Sequence, residues 1–120
     1  MQSMVRCLMT PQIIGSRKSA AYRRCERYFK DRRIAFQGRD LNQNPLSPTE
    51  LDRIADACGG YQALLDENSK EYIRRGMAWM EVDPREELLE NPLLLRTPIV
   101  RTDGGISIDP DDTTLKELLG

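Results

Sequence analysis

The 120-residue chain has 39% apolar, 31% charged and 6% aromatic side chains, and its formal net charge is −1. This length favours one domain that can bury enough surface to fold without disulfides. The chain contains no histidine, which excludes Ser-His-Asp and Cys-His catalysis and histidine-ligated metal sites. Three cysteines without a CxxC spacing argue against a disulfide framework and predict a reducing, cytoplasmic setting.

We predict neither a targeting signal nor a membrane span. Residues 1–10 include one basic side chain and no long apolar run, so we interpret them as an N-terminal tail. Met4 or Met9 could equally be the biological start. No stretch approaches the roughly 18 apolar residues that a membrane-spanning helix needs.

Charge is divided unevenly along the chain. Residues 1–60 carry a net +5 and residues 61–120 a net −6. Residues 17–39 hold nine Lys and Arg against Glu26 and Asp31. Such a run can attract anions or nucleic acid, although a solvated helix face is the simpler interpretation.

The chain opens with a predicted strand–helix–strand unit. A short β-like run covers residues 12–15. Apolar residues then recur at helical spacing over residues 20–33, with Ser19 in front of them as an N-cap. Residues 34–41 alternate as a second strand. This order predicts two parallel strands joined by a right-handed crossover.

The middle of the chain is predicted to be helical. Ser47, Pro48 and Glu50 form a capping box with proline in the first turn. The helix that they begin is predicted to end at Gly59 and Gly60. Further short helices are predicted over residues 61–65, 69–80 and 84–90, the last capped by Asp83. Within them, Met77, Trp79 and Met80 are interpreted as core residues.

Two strands and a helix are predicted at the end. The strands cover residues 97–101 and 106–108, separated by the turn residues 103–105, and Asp109-Pro110 caps a helix that runs to Leu119. The order predicts an α/β fold of thioredoxin-like layout, with a four-stranded mixed sheet and a helical insertion. We assign residues 11–120 to one domain, with its core in residues 11–42 and 93–120 and its insertion in residues 43–92.

The chain also carries four segments that together resemble the arsenate reductase family, which includes the Spx transcriptional regulators. They are QIIGSRK (12–18), ERYFKDRRI (26–34), LLDENSKEY (64–72) and ELLENPLLLRTPIVR (87–101). The resemblance covers roughly residues 11–119 and implies a thioredoxin-like fold with an inserted helical subdomain. It also implies a cis Pro98 that faces the active-site loop.

By this resemblance, Ser19 occupies the position of the family's nucleophilic cysteine. A helix N-terminus with adjacent Arg or Lys lowers the pKa of a thiol from about 8.5 to near neutrality. A serine hydroxyl starts several units higher, and no histidine is present to act as its base. We therefore interpret Ser19 as an N-cap and a poor nucleophile, and we expect little catalysis from it.

Two further positions depart from the arsenate reductase pattern. Those enzymes carry an arginine immediately before the proline, whereas this chain has Thr97, with Arg96 one step earlier. A second oxyanion-binding arginine of the reductases aligns near Asp66, whose charge would repel an oxyanion. The Thr-Pro form resembles glutaredoxin-like relatives, so Thr97 alone is not disabling.

The cysteines give only a weak candidate for redox chemistry. Cys25 lies on the apolar stripe of the first predicted helix, which favours a buried, unreactive thiol. The alternative interpretation of the same residue is functional: Cys25 would have taken over the redox role of the missing nucleophile. Cys58 precedes a helix C-terminus, which disfavours a thiolate, and Cys7 lies in the tail.

Three functions are compatible with these residues. The first is a non-catalytic binding or regulatory protein whose partner is a small anion or a protein. Its surface would comprise Gly15, Ser16, Arg17, Lys18, Arg23, Arg96, Thr97 and Pro98.

The second function is a glutaredoxin-like thiol oxidoreductase that uses Cys25 or a partner's thiol, with glutathione or thioredoxin as reductant. The third is nucleic-acid binding, without the interleaved exposed aromatic residues that would support it. It would use Arg23, Arg24, Arg27, Arg32 and Arg33. We predict no bound cofactor and no metal site, and we interpret Asp109, Asp111 and Asp112 as helix-capping charges.

Overall fold

The computed structural model describes residues 10–119, so Cys7, Met4 and the predicted tail up to Met9 lie outside the described residues. The chain divides into two compact units, one running up to Asp40 and resuming at Thr97, the other spanning Leu41–Arg96. The strands of the described residues are β1 (Gln12–Gly15), β2 (Gln37–Asp40), β3 (Ile99–Thr102) and β4 (Gly105–Ile108), and their α-helices are α1 (Ala20–Asp31), α2 (Pro48–Cys58), α3 (Lys70–Arg74), α4 (Pro84–Glu90) and α5 (Asp112–Leu119).

The first unit contains one mixed sheet in the order β2-β1-β3-β4. Strand β1 pairs in parallel with β2, with Ile13 opposite Gly38, and antiparallel with β3, which also pairs antiparallel with β4. This topology confirms the prediction of an α/β, thioredoxin-like fold with a four-stranded mixed sheet. Helices α1 and α5 pack on the sheet through a core made of Ile13, Tyr22, Cys25, Tyr28, Phe29, Val100 and Leu115.

Local chemistry explains where α1 begins and ends. Ser19 is its N-cap, as predicted, with its side chain accepting a hydrogen bond from the Tyr22 N–H. The helix stops at Asp31, two residues earlier than predicted, and Arg33 follows with a φ of 56°. A left-handed residue cannot continue a right-handed helix. Strand β2 is correspondingly shorter than predicted and begins at Gln37.

In the second unit, α2 begins and ends as predicted. Ser47 and Glu50 form the reciprocal capping box, and Gly59 ends the helix in the left-handed region at φ 94°. Two backbone hydrogen bonds of 2.7 Å connect distant parts of this unit, from the Asp66 N–H to the Leu94 carbonyl and from the Arg96 N–H to the Leu64 carbonyl.

The prediction of one helix over residues 69–80 is wrong. Helix α3 ends at Arg74, and Gly76 adopts a φ of 65° before a separate 3₁₀ turn, Met77–Trp79. Met77 is buried as expected, but Trp79 is 92% exposed and Met80 is 46% exposed. The core assignment of Trp79 and Met80 is therefore also wrong, because the break at Gly76 changes which side chains face inward.

Of the acidic residues predicted to cap the last helix, the structure confirms Asp111 and contradicts Asp109. The Asp111 carboxylate accepts a 2.8 Å hydrogen bond from the Thr114 N–H at the start of α5. Asp109 instead has a φ of 45°, and its N–H donates to the Pro98 carbonyl at 2.6 Å. Asp109 thus joins the end of β4 to the residue before β3, and Asp111 caps the helix. No helix within residues 10–119 is long and apolar enough to cross a membrane.

Candidate functional site

A tight loop connects the buried end of β1 to the start of α1. The Ser19 N–H donates a 2.9 Å hydrogen bond to the Ser16 carbonyl, and the Lys18 N–H donates to Ser16 Oγ at 3.3 Å. These two bonds order the turn while Arg17 and Lys18 stay exposed between strand and helix. The loop therefore presents two cations from a fixed backbone.

Gly15 brings this loop against the segment before β3. A Cβ atom on Gly15 would lie 3.2 Å from Thr97 Cβ and 3.5 Å from Pro98 Cα, so any larger residue would crowd the contact. The Thr97–Pro98 peptide bond is cis, as the family resemblance implied, and Pro98 is buried. Gly15, Thr97 and Pro98 thus pack together beside the loop.

Ser19 is engaged in holding the helix. Its Oγ accepts the Tyr22 N–H at 3.4 Å, and its backbone is extended, with φ −73° and ψ 134°, which is the geometry of an N-cap. The first turn of α1 contains no acidic residue. The partial positive charge of the helix N-terminus is therefore not offset locally, which favours anions there.

Arg23 stabilises the same loop from one turn into the helix. Its Nε donates a 3.2 Å hydrogen bond to the Arg17 carbonyl, while its side chain remains exposed. The structure therefore brings together Arg17, Lys18 and Arg23 around the N-terminus of α1. Three cations in this position create a local field that attracts negative charge.

Tyr22 is a neighbour of this site that the sequence analysis did not single out. It is fully buried, and its ring contacts Gly15. The Arg17 guanidinium lies close to its hydroxyl, although not in the geometry of an ordinary hydrogen bond. Burial and the charge of Glu26 raise its pKa, while the nearby Arg17 guanidinium opposes that shift. A tyrosine one turn after a capping serine is an ordinary helix residue by pattern, so no sequence signal distinguishes it.

Cys25 lies within the core. It is fully buried, as predicted for its apolar stripe, and burial raises the pKa of its thiol, with Arg24 opposing that shift. Cys58 is partly buried, and burial likewise raises its thiol pKa, again opposed by a cation, Arg96. Both cysteines are free thiols. A neutral, buried thiol is a weak nucleophile.

Arg96 belongs to the second unit. Its N–H donates to the Leu64 carbonyl, and its Nη1 donates to the Ala63 carbonyl at 3.4 Å. The side chain is otherwise exposed. Asp66, near which the resemblance places a second oxyanion-binding arginine, accepts a 3.0 Å hydrogen bond from the Asn68 N–H.

Two other basic side chains, Arg24 of α1 and Arg32 directly after it, have contacts elsewhere. Arg24 pairs with Asp109 at 3.5 Å and Asp112 at 3.8 Å, and Arg32 lies over the Tyr28 ring at 3.6 Å from its centroid. The aromatic residues of α1 are buried rather than interleaved with these arginines on the surface. Within residues 10–119, no group of three or more acidic or cysteine side chains is arranged to hold a metal ion.

Comparison with solved structures gives the class of fold. The YFFB protein superposes with a TM-score of 0.82 at 14% identity, covering 92% of this chain and all of that one. An ArsC family related protein from Bacteroides fragilis gives 0.79 at 13% identity, covering 92% and 98% of the two chains. Arsenate reductase from Vibrio cholerae gives 0.77 at 20% identity, with the same coverage.

The chain therefore has the thioredoxin-like α/β fold of arsenate reductase-related proteins. At these identities the similarity defines the fold alone. No protein-family model matches the sequence, and no curated protein matches it.

Proposed function

We propose that this chain is a non-catalytic binding protein built on the arsenate reductase-like fold, and that its ligand is an oxyanion, either free or carried by a partner protein. The observation that carries the proposal is Ser19. Its hydroxyl caps α1 at the position where the family resemblance places the catalytic thiol. Arg17, Lys18 and Arg23 supply positive charge around it.

Close packing next to the loop holds the start of α1 against the segment before β3. Gly15 contacts Thr97 and Pro98, so backbone groups of two loops adjoin without bulky side chains between them. An anion at the start of α1 would gain from the helix dipole and from the exposed charges of Arg17 and Lys18. A protein without a nucleophile can bind there without forming a covalent intermediate.

A thiol oxidoreductase of glutaredoxin type is the second candidate function, since Thr97 before Pro98 is the form that the resemblance associates with glutaredoxin-like relatives. It would use Cys25 or a thiol of its partner, with glutathione or thioredoxin as reductant. Burial of Cys25 and its raised pKa argue against this candidate. We also infer a cytoplasmic location, which the two free thiols support.

Two assays test the proposal. The wild-type protein should show no glutathione- or thioredoxin-dependent reduction of arsenate or of a small disulfide. Titration with phosphate and with arsenate should shift the backbone N–H resonances of residues 16–19. The double variant Arg17→Gln/Lys18→Gln should lose these shifts, whereas Arg27→Gln/Lys30→Gln, which removes the same charge further along α1, should keep them.

Robust turnover by the wild type would establish the oxidoreductase instead. If both double variants lose anion binding equally, the binding depends on the overall positive charge of α1. The loop would then not be the binding site. Absence of any shift with either anion would overturn it as well.

A further inference from the structure

The second unit contains a groove of about 390 Å³, and all of the residues that line it belong to that unit. It is bordered by α3 and by the 3₁₀ turn that follows Gly76. Its floor is formed by Leu65, Tyr72 and Met77, all of which are buried. A concave surface of this volume is large enough for a side chain of a bound polypeptide.

The charged side chains that line the groove have one sign. They are Glu67 and Glu81, and both are exposed. Gln62 donates a 3.4 Å hydrogen bond from its Nε2 to the Glu67 carboxylate, which fixes one wall. The whole Leu41–Arg96 unit carries eleven Asp and Glu against six Lys and Arg. The groove therefore favours a cationic occupant.

Two apolar side chains at or next to this groove are exposed to solvent. Met80 lines it and is 46% exposed, and the preceding Trp79 is 92% exposed. Their position is set by backbone hydrogen bonds, because the Trp79 N–H donates to the Gly76 carbonyl and the Met80 N–H to the Met77 carbonyl. Tryptophan is enriched among residues that dominate binding energy at interfaces. Trp79 stands in the chain between two residues that line the groove, Ala78 and Met80, and its indole is exposed.

We propose that this groove binds a segment of a partner protein in which Lys or Arg alternates with apolar side chains. The aliphatic stem of a Lys or Arg would lie on Leu65 and Met77, with its charge close to Glu67 and Glu81. Trp79 would cover the segment and contact its cation or apolar side chains. This surface does not depend on the oxyanion site.

Three nine-residue peptides test the proposal by fluorescence anisotropy. The first alternates lysine with leucine, the second replaces each lysine by glutamate, and the third replaces each leucine by serine. Only the first should bind with measurable affinity. Trp79 is the single tryptophan of the chain, so binding should also shift the intrinsic emission to shorter wavelength as the indole leaves water.

Two variants locate the binding. Glu81→Lys should weaken it by about tenfold, because a favourable charge contact becomes repulsive. Trp79→Ala should weaken it comparably without altering the far-ultraviolet dichroism, since the side chain is exposed. The matched control is Glu117→Lys, which makes the same charge change at an exposed position of α5 and should keep the wild-type affinity.

Several outcomes would overturn the inference. They are no binding of the lysine–leucine peptide, equal binding of the glutamate peptide, or equal weakening by Glu117→Lys. If the Trp79 emission shifts when only the protein concentration is raised, the groove binds a second copy of this chain instead of a partner segment. Arg17→Gln/Lys18→Gln should leave peptide binding unchanged. The peptide-binding groove and the proposed oxyanion site can therefore be disproved independently of each other.

Discussion

The hydroxyl of Tyr22 lies directly against Gly38, so closely that a Cβ atom on that glycine would overlap the phenolic oxygen. Tyr22 is on the first turn of α1 and Gly38 is on β2, at the position paired with Ile13 of β1. The contact therefore sets how closely the start of α1 approaches the sheet. It positions the loop that carries Arg17 and Lys18.

We expect Gly38→Ala to destabilise the fold by about 1–3 kcal/mol, as overpacking of a buried contact does. The added methyl group would push Tyr22 away from β2. Chemical unfolding at equilibrium measures the loss. Gln37→Ala, at the exposed neighbouring position of β2, is the matched control and should cost much less.

The double variant Tyr22→Phe/Gly38→Ala tests the cause. Removal of the phenolic oxygen removes the overlap with the added methyl group. We expect most of the stability lost in Gly38→Ala to return, as non-additivity between contacting residues predicts. If the changes in unfolding free energy of the two single variants simply add in the double variant, the overlap between Tyr22 and the added methyl group is not the cause of the loss.

Restoring a thiol at the N-cap should create a reactive group. In Ser19→Cys the new sulfur would lie at the start of a helix with no acid in its first turn and with Arg17 and Lys18 beside it. We expect its pKa to fall from about 8.5 to about 7.5 or lower. Alkylation rates between pH 5 and 9, with the labelled residue located by mass spectrometry, measure that pKa.

The control for that experiment is Ala57→Cys, which places an exposed thiol in the last turn of α2. The helix C-terminus disfavours a thiolate, so its pKa should stay at or above the ordinary value. If the two introduced thiols titrate alike, the N-terminus of α1 does not stabilise an anion. The oxyanion proposal would then lose its electrostatic basis.

The native Cys25 thiol should resist alkylation until the protein unfolds, because it is fully buried with a raised pKa. Cys58 is only partly buried and should react sooner. We expect Cys25→Ser to cost about 1–3 kcal/mol, since it puts a hydroxyl into an apolar site, whereas Cys58→Ser should cost less. Rapid labelling of native Cys25 below pH 7 would favour the oxidoreductase.

A carboxylate in the second unit provides a pH test. Asp52 accepts a 2.9 Å hydrogen bond from Arg85 Nε and a 2.6 Å bond from the Tyr61 hydroxyl, which together hold its pKa below the ordinary 3.8. A lowered pKa stabilises the fold above the unfolded-state value, and that contribution disappears as pH falls through the folded-state value.

Asp52→Asn should therefore lower the melting temperature near neutral pH, and the gap from wild type should close as pH falls below about 4. Asp56→Asn, one turn further along the same helix at an exposed position, is the control and should show a smaller difference at neutral pH. If the difference in melting temperature between wild type and Asp52→Asn stays constant down to pH 2, the ionised Asp52 carboxylate does not stabilise the fold.

Much of the fold follows from local chemistry that is legible in the sequence. Ser19 and Ser47 begin helices because a hydroxyl in front of an apolar helical period satisfies free N–H groups of the first turn. The turn at Asp103 and Gly104 joins two alternating runs, and it connects β3 to β4 as predicted. These signals involve neighbours within four residues, so no knowledge of the tertiary structure is needed to interpret them.

The errors have an equally clear cause. The apolar period over residues 69–80 fits one helix, but Gly76 takes a left-handed conformation that ends it and leaves Trp79 exposed. Asp109 and Asp111 are both acceptable caps by sequence. The backbone bond between Asp109 and Pro98 removes Asp109 from the helix end.

The sequence by itself determined the order of strands and helices, the absence of histidine chemistry and the serine at the helix N-cap. These depend on residue types and on short-range capping and periodicity. Only the tertiary structure decided that Gly15 packs against Thr97 and that Tyr22 lies against Gly38. Each of these depends on how distant segments pack, which is set by exclusion of apolar surface from water and by the space that a missing side chain leaves.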